Sequence, residues 1–159
     1  MLRFIKEDVS IGLIELPDFI SLIIPLSGCG QACPRCHSKH LQNPQNGEIL
    51  SLKEFESLYL KYKEKVEVIC FFGSASHLEK LDKFIFSFPF KYALYCGQDL
   101  DISQAKKLML KHKLSFLKIG SFKYQLGALD SKTTNQKLLF FDSIDGDIKD
   151  ITYKFHQAS

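Results

Sequence analysis

Apolar stretches and helix-like patterns alternate along the chain. Short continuous apolar runs are typical of strands buried on both faces, and such runs predict strands over residues 19–24, 66–72, 91–96, 115–119, 137–141 and 148–155. Three intervening segments have apolar residues at helical spacing after a capping signal. Those signals are two predicted capping boxes, Ser51 with Glu54 and Ser76 with Glu79, and Asp101 as the cap of the third helix. Strands that alternate with helices predict βαβ units and a mainly parallel sheet.

The chain length limits how this sheet can close. A complete (βα)₈ barrel usually needs about 250 residues, whereas this chain has 159. The pattern therefore predicts one α/β domain over residues 1–159, built as a partial (βα) barrel. Ligands of such folds bind at the carboxyl ends of the strands. We expect the site in the loops that follow Leu26, Phe72, Cys96 and Ile119.

Composition excludes several classes of protein. The chain is 45% hydrophobic and 25% charged, with 14 phenylalanines and 6 tyrosines, which argues against disorder. Its net charge is only +3 and its lysines are spread along the chain, so no nucleic-acid partner is expected. Apolar runs are far shorter than the roughly 18 residues that cross a membrane. Acidic residues near the N-terminus predict no export signal and therefore a cytoplasmic protein.

Three of the five cysteines form a cluster. Cys29, Cys33 and Cys36 have C-x3-C-x2-C spacing directly after a predicted strand, and three thiolates on one loop can converge on a metal. One interpretation is a structural zinc site with His37 or His40 as fourth ligand, and another is three unligated core cysteines. The third is a [4Fe-4S] cluster in which one iron has no cysteine ligand. That open iron would be where a substrate binds.

This motif resembles the radical S-adenosylmethionine (SAM) enzymes, whose hallmark is C-x3-C-x2-C after the first strand. Within them, Ala-Cys-Pro-Arg-Cys-His-Ser at residues 32–38 is similar to the activating proteins of anaerobic ribonucleoside-triphosphate reductase. A second similarity lies at residues 117–136, with Leu-Asp-Ser followed by Thr-Thr-Asn-Gln. The resemblance extends over about residues 11–141.

The resemblance implies a radical SAM fold and an activase of a glycyl-radical enzyme. Cys29, Cys33 and Cys36 would hold the [4Fe-4S] cluster, which cleaves SAM reductively to a radical that abstracts hydrogen from a glycine of the partner. The partners implied are the large anaerobic reductase subunit and a small electron donor such as a flavodoxin. The remaining implied site residues are Arg35, His37, Gly73 and Ser74 at SAM, and Thr134, Asn135 and Gln136 on an active-site or partner-facing loop.

The chain also departs from the family pattern. The family ends its second strand with Gly-Gly-(Glu/Asp)-Pro, where the acid meets the amino group of SAM, but residues 72–75 here are Phe-Gly-Ser-Ala. Arg35 stands where a glycine or aromatic residue is usual. Two alternatives therefore stay open: a non-catalytic or electron-transferring Fe–S paralogue, and a radical SAM enzyme acting on another glycyl-radical enzyme or a small molecule.

Four residues outside these motifs could also carry chemistry. Cys70 and Cys96 lie in or at the end of apolar strands, which favours core packing over metal binding. His77 follows the second strand and could approach the site, although its place near a helix start favours a surface position. His112 is also expected at the surface.

Overall fold

The computed structural model describes residues 1–29 and 39–157. Its strands are β1 (Arg3–Phe4), β2 (Ser10–Gly12), β3 (Ser21–Pro25), β4 (Glu48–Ile49), β5 (Val68–Phe72), β6 (Lys91–Tyr95), β7 (Phe116–Ile119), β8 (Lys137–Asp142) and β9 (Asp147–Asp150). Its α-helices are α1 (Leu52–Tyr62), α2 (Leu78–Ile85) and α3 (Ile102–His112). Short 3₁₀ helices occupy Lys6–Asp8, Lys39–Leu41, Ala75–His77 and Thr152–His156.

Seven strands form the central sheet in the order β2-β3-β5-β6-β7-β8-β9. The four inner strands β3, β5, β6 and β7 are parallel, and β2, β8 and β9 extend the sheet in antiparallel fashion. The mixed α/β domain with a mostly parallel core is confirmed. A barrel is not found: among the described residues the sheet is open, with β2 and β9 at its edges.

All three α-helices pack on one face of the sheet. Each connects two adjacent parallel strands, and the strand order advances in one direction, so right-handed crossovers place every helix on the same side. Phe55 of α1 is fully buried there, with its ring centroid 4.8 Å from that of Phe84 and 6.2 Å from that of Phe71. These aromatic contacts anchor α1 and α2 to β5.

The opposite face is covered by segments that contain no α-helix. Leu16 and Phe19 cover it from the connection between β2 and β3, Leu129 from the connection between β7 and β8, and Ile151 and Phe155 from the C-terminal segment. Beneath them the sheet presents Ile23, Val68, Cys70, Ala93, Phe116 and Leu138. This helix-free face therefore has its own apolar core, and the covering segments decide how much of it is open.

Two of the predicted helix caps are present. The Ser51 side chain accepts a hydrogen bond from the Glu54 N–H at the start of α1. The Glu54 carboxylate pairs with Lys6 at 2.8 Å, so only the Ser51 half of the predicted capping box forms. At α3, Asp101 and Gln104 cap each other's backbone reciprocally. These caps satisfy backbone donors that the first helical turn leaves unpaired.

The predicted strand over residues 148–155 is wrong in its second half. Extended backbone ends with β9 at Asp150, whose Oδ1 accepts hydrogen bonds from the Thr152 N–H at 3.0 Å and from the Thr152 hydroxyl. Short side-chain bonds of this kind compete with strand pairing and start a turn. The chain continues as the 3₁₀ helix Thr152–His156.

The surface position predicted for His112 is also wrong. His112, the last residue of α3, is buried, and its Nδ1 lies 2.7 Å from Oδ1 of Asp82 in α2. A polar side chain can be buried when it finds such a partner, and that partner is 30 residues away along the chain.

Candidate functional site at the carboxyl edge of the parallel strands

The parallel strands end level with one another. Pro25 pairs with Phe72, Phe72 with Tyr95, and Tyr95 with Lys118, so these residues form one row across the sheet. The loops that follow these strands meet at a single edge, which is where open α/β sheets bind ligands. The structure thus brings to one edge the four loops in which the sequence predicts a ligand site.

Cys29 lies at this edge, after β3. The backbone N–H groups of Gly28 and Cys29 both donate to the Leu41 carbonyl, at 2.7 and 3.0 Å. The half-buried Cys29 thiol points toward the end of β5, with Sγ 3.9 Å from the Gly73 carbonyl oxygen. The other predicted ligands, Cys33 and Cys36, and the predicted SAM residues Arg35 and His37 lie outside the described residues.

Ser74 caps the 3₁₀ helix that begins after β5. Its hydroxyl oxygen accepts hydrogen bonds from the Ser76 N–H at 3.2 Å and from Gln98 Nε2 at 2.8 Å. Its own N–H donates to His77 Nδ1 at 3.0 Å, which completes a capping box. The predicted box between Ser76 and Glu79 is therefore wrong, because the cap lies two residues earlier. The Ser74 side chain is buried, and its hydroxyl oxygen already accepts these two hydrogen bonds.

His77 is buried beneath this loop, so the surface position expected for it is wrong. Because Nδ1 accepts from the Ser74 N–H, the ring proton is on Nε2, and the ring also hydrogen-bonds the Ser27 backbone. Burial is the main cause that lowers the pKa of His77, so the neutral ring is favoured. His77 thus joins the end of β5 to the residues just before Cys29.

The need for glycine at position 73 follows from His77. A Cβ at residue 73 would lie 2.7 Å from His77 Nδ1 and 3.2 Å from Leu26 Cδ1. His77 and Leu26 thus fill the space beside the Gly73 backbone. The Gly73 carbonyl oxygen faces the Cys29 thiol.

Cys70 and Cys96 are core residues, as the sequence predicts. Both are buried, and burial raises the pKa of each thiol. The Cys96 thiol donates to the Lys118 carbonyl at 3.3 Å, while Lys118 Nζ donates to the carbonyl oxygens of Cys96 and Gly120 at 3.1 and 3.0 Å. These bonds tie the ends of β6 and β7 together.

The predicted loop of Thr134, Asn135 and Gln136 also reaches this edge. Asn135 Nδ2 donates to the Ser121 carbonyl at 3.0 Å, and Gln136 Nε2 donates to the Gly120 carbonyl at 3.4 Å. Thr134 points away, with its hydroxyl donating to the Gly127 carbonyl at 3.1 Å. Of the three residues, Gln136 is buried and lines the cleft described next.

A cleft of about 560 Å³ opens on the helix-free face beside this edge. Its walls are mostly apolar, with a few polar side chains, as in many small-molecule sites. The lining residues are Ile14, Glu15, Phe72, Tyr95, Lys118, Phe122, Ala128, Leu129, Asp130, Gln136 and Phe155. The rings of Phe72 and Tyr95 stack at 4.8 Å and form its floor at the strand ends.

Sequence reasoning missed Glu15 and Lys118. Lys118 lies within the apolar run 116–119, and this position could have indicated a functional residue. A lysine is rarely buried in a strand unless its ammonium has a partner. Glu15 had no local signal. It enters the site because the Tyr95 hydroxyl donates to the Glu15 carbonyl and holds this covering segment over β6.

The described residues fit a cofactor site in part. Cys29 supplies a soft thiolate ligand at the correct edge, and the cleft has room for a small organic ligand. Residues 1–29 and 39–157 contain no group of three or more His, Cys, Asp or Glu side chains able to hold a metal. A cluster would thus need ligands from residues 30–38. In the same described ranges, no helix is long and apolar enough to cross a membrane.

Comparisons with known proteins do not assign the chain to a family. No protein-family model matches the chain, and neither the curated proteins nor the solved structures contain a significant match.

Proposed function

We propose that this protein is a radical SAM activase that generates a glycyl radical on an anaerobic ribonucleoside-triphosphate reductase. The observation that carries the proposal is the position of Cys29. The first cysteine of the C-x3-C-x2-C motif lies at the carboxyl edge of a parallel sheet, with its thiol facing the Gly73 carbonyl. The open cleft lies beside the same strand ends.

Cys29, Cys33 and Cys36 would hold the proposed [4Fe-4S] cluster. When bound, the cluster would pass one electron from the external donor to the sulfonium of SAM. The protein's part is to position the ligand and exclude water. Phe72, Tyr95 and Phe155 give the cleft apolar walls. His77 Nδ1 accepts the Ser74 N–H and so fixes the backbone that directly follows Gly73.

The proposal includes a cellular setting. The partners are the large glycyl-radical subunit and a small electron donor such as a flavodoxin, in the cytoplasm. Neither a nucleic acid nor a membrane is proposed as a partner. The low net charge of +3 supports the former statement.

The test is anaerobic reconstitution with iron and sulfide, followed by addition of dithionite and SAM. The wild-type protein should show absorbance near 400 nm, typical of thiolate-bound iron–sulfur clusters, and should release 5′-deoxyadenosine. Cys29→Ala should lose both properties, whereas the matched control Cys70→Ala, which removes a core thiol, should keep both. Zinc as the native metal, or normal reconstitution of Cys29→Ala, would refute the proposal.

A second candidate is a non-catalytic or electron-transferring Fe–S paralogue. The observation that favours it is Ser74, which replaces the family's acid and uses its hydroxyl to cap a helix. This candidate predicts a stable cluster without release of 5′-deoxyadenosine. A third outcome, SAM cleavage without radical formation on the reductase, would indicate another glycyl-radical enzyme or a small-molecule substrate.

A further inference from the structure

The amino edge of the parallel strands lies opposite the candidate site. Lys91, the first residue of β6, pairs with the first residue of β5, and β7 begins beside them. The turns that lead from the three α-helices into these strands therefore lie side by side. These amino-edge turns are residues 63–67, 86–90 and 113–115. At about 3.3 Å per residue, the strands separate them from the carboxyl edge by about 13 Å.

Contacts between neighbouring elements join the amino-edge turns into one surface. The Tyr59 hydroxyl donates to the Pro89 carbonyl at 3.1 Å, and the Tyr59 ring lies 5.1 Å from the ring of Phe88. The Ser115 N–H donates to the Tyr92 carbonyl at 2.8 Å. Side chains carried by the three turns are therefore held in fixed relative positions.

Six exposed lysines lie in these turns or directly beside them. Each ammonium lies 4.8–5.9 Å from the centroid of an aromatic ring, and no carboxylate of residues 1–29 and 39–157 forms an ion pair with any of the six. They are Lys61, Lys63, Lys65, Lys83, Lys91 and Lys113. With Glu64 and Glu67, the acidic residues of the turns, six lysines and two glutamates give this edge a net charge of +4. The whole chain carries only +3, so its positive charge is concentrated here.

Helix stabilisation explains only part of this concentration. A lysine in the last turn of a helix interacts favourably with the carbonyl groups at its end, which accounts for Lys61 in α1 and Lys83 in α2. That effect does not extend beyond the last turn, whereas Lys65 and Lys91 lie three and six residues past the ends of these helices. Like charges held on one surface repel each other and destabilise the compact state. A partner of opposite charge would relieve this repulsion.

We infer that the amino edge binds an acidic protein whose Asp and Glu side chains pair with these lysines. Complementary charge of this kind guides two proteins into contact and selects the partner. A single-stranded nucleic acid fits less well, because it stacks its bases on open aromatic faces, whereas lysine side chains lie over the rings here. Glu64 and Glu67 would also repel a continuous row of phosphates. The surface leaves the cleft at the carboxyl edge open, and the inference does not depend on the proposed SAM chemistry.

The test measures binding of fluorescent poly-L-glutamate by anisotropy at about 50 mM salt, where exposed charges are weakly screened. The patch variant combines Lys63→Gln, Lys65→Gln and Lys91→Gln. The control variant removes the same charge from exposed lysines elsewhere, with Lys53→Gln, Lys107→Gln and Lys132→Gln. The patch variant should bind about tenfold more weakly than the wild type and the control less than about twofold more weakly. Urea midpoints of the three proteins should agree, because all six side chains are exposed.

Amide hydrogen exchange locates the bound probe. Poly-L-glutamate should slow exchange in the amino-edge turns and leave residues 73–77, at the carboxyl edge, unchanged. Protection confined to the carboxyl edge would overturn the inference.

Four further outcomes would also overturn it. The wild type could fail to bind poly-L-glutamate, or the two triple variants could weaken binding equally, which would show a response to total charge alone. Tighter binding of an oligouridylate of matched charge, lost in the patch variant, would assign the surface to a nucleic acid. A wild-type dimer in sedimentation that the patch variant does not form would identify the occupant as a second copy of the chain. None of these results involves the cluster, so the proposed function would survive each of them.

Discussion

Replacing Gly73 with alanine should destabilise the protein through His77. The new Cβ would lie 2.7 Å from His77 Nδ1, closer than any normal contact, so the buried ring would have to move. Overpacking of this kind costs about 1–3 kcal/mol, and moving the ring weakens its hydrogen bonds to Ser74 and Ser27, each worth about 1 kcal/mol. Alanine restricts the unfolded chain and recovers about 0.4–1 kcal/mol. The expected net loss is about 2 kcal/mol.

The decisive measurement is a double-mutant cycle. His77→Ala alone should cost about 2–3 kcal/mol, because it leaves a cavity and a buried Ser74 N–H without its acceptor. In that background the clash with His77 no longer exists and only the 3.2 Å contact with Leu26 Cδ1 remains, so Gly73→Ala should cost much less than in the wild type. The coupling free energy should therefore be about 2 kcal/mol in favour of the double variant.

Urea denaturation followed by far-ultraviolet circular dichroism, under reducing conditions and without metal, gives all four unfolding free energies. Gly146→Ala is the control, since a Cβ there meets nothing within 4 Å. Its cost should be the same with and without His77. A coupling below about 0.5 kcal/mol between positions 73 and 77 would show that the two residues act independently, and the structural reason given for Gly73 would be wrong.

Three further predictions concern the buried residues. Cys96→Ala should keep the full iron content and lose about 1–2 kcal/mol of stability, because the buried Cys96 thiol donates to the Lys118 carbonyl. Loss of iron in this variant would show that Cys96 is a ligand. Burial lowers the pKa of His77, so unfolding free energy should fall as the pH decreases below the unfolded value of 6.5. This fall should be smaller in His77→Asn, measured by urea denaturation across that range. Phe55→Ala should cost about 3–5 kcal/mol, while the exposed Leu60→Ala should cost far less.

Local patterns in the sequence determined the elements that place the site. The apolar runs and the caps at Ser51 and Asp101 predicted strands and helices close to those observed. These features depend on neighbours within a few residues, because strand periodicity and helix capping are local. From the alternation alone, a ligand site was predicted in the four loops that follow the parallel strands.

Only the tertiary structure shows which side chains surround the carboxyl edge and which of them are buried. Gly73 is needed because His77 fills its side-chain space, and His77 is buried because Ser27, fifty residues earlier, accepts its hydrogen bond. Glu15 reaches the cleft because the Tyr95 hydroxyl holds its backbone from 80 residues away. No local pattern could reveal these contacts.

The form of the sheet was decided in the same way. The βαβ pattern is compatible with a partial barrel or an open sheet, since both use the same strands, helices and right-handed crossovers. The difference arises from the segments that cover the helix-free face, where Leu16, Leu129 and Ile151 pack over an open sheet. Element type follows from interactions between near neighbours, whereas closure and burial follow from packing between distant segments, which is why only the folded chain reveals them.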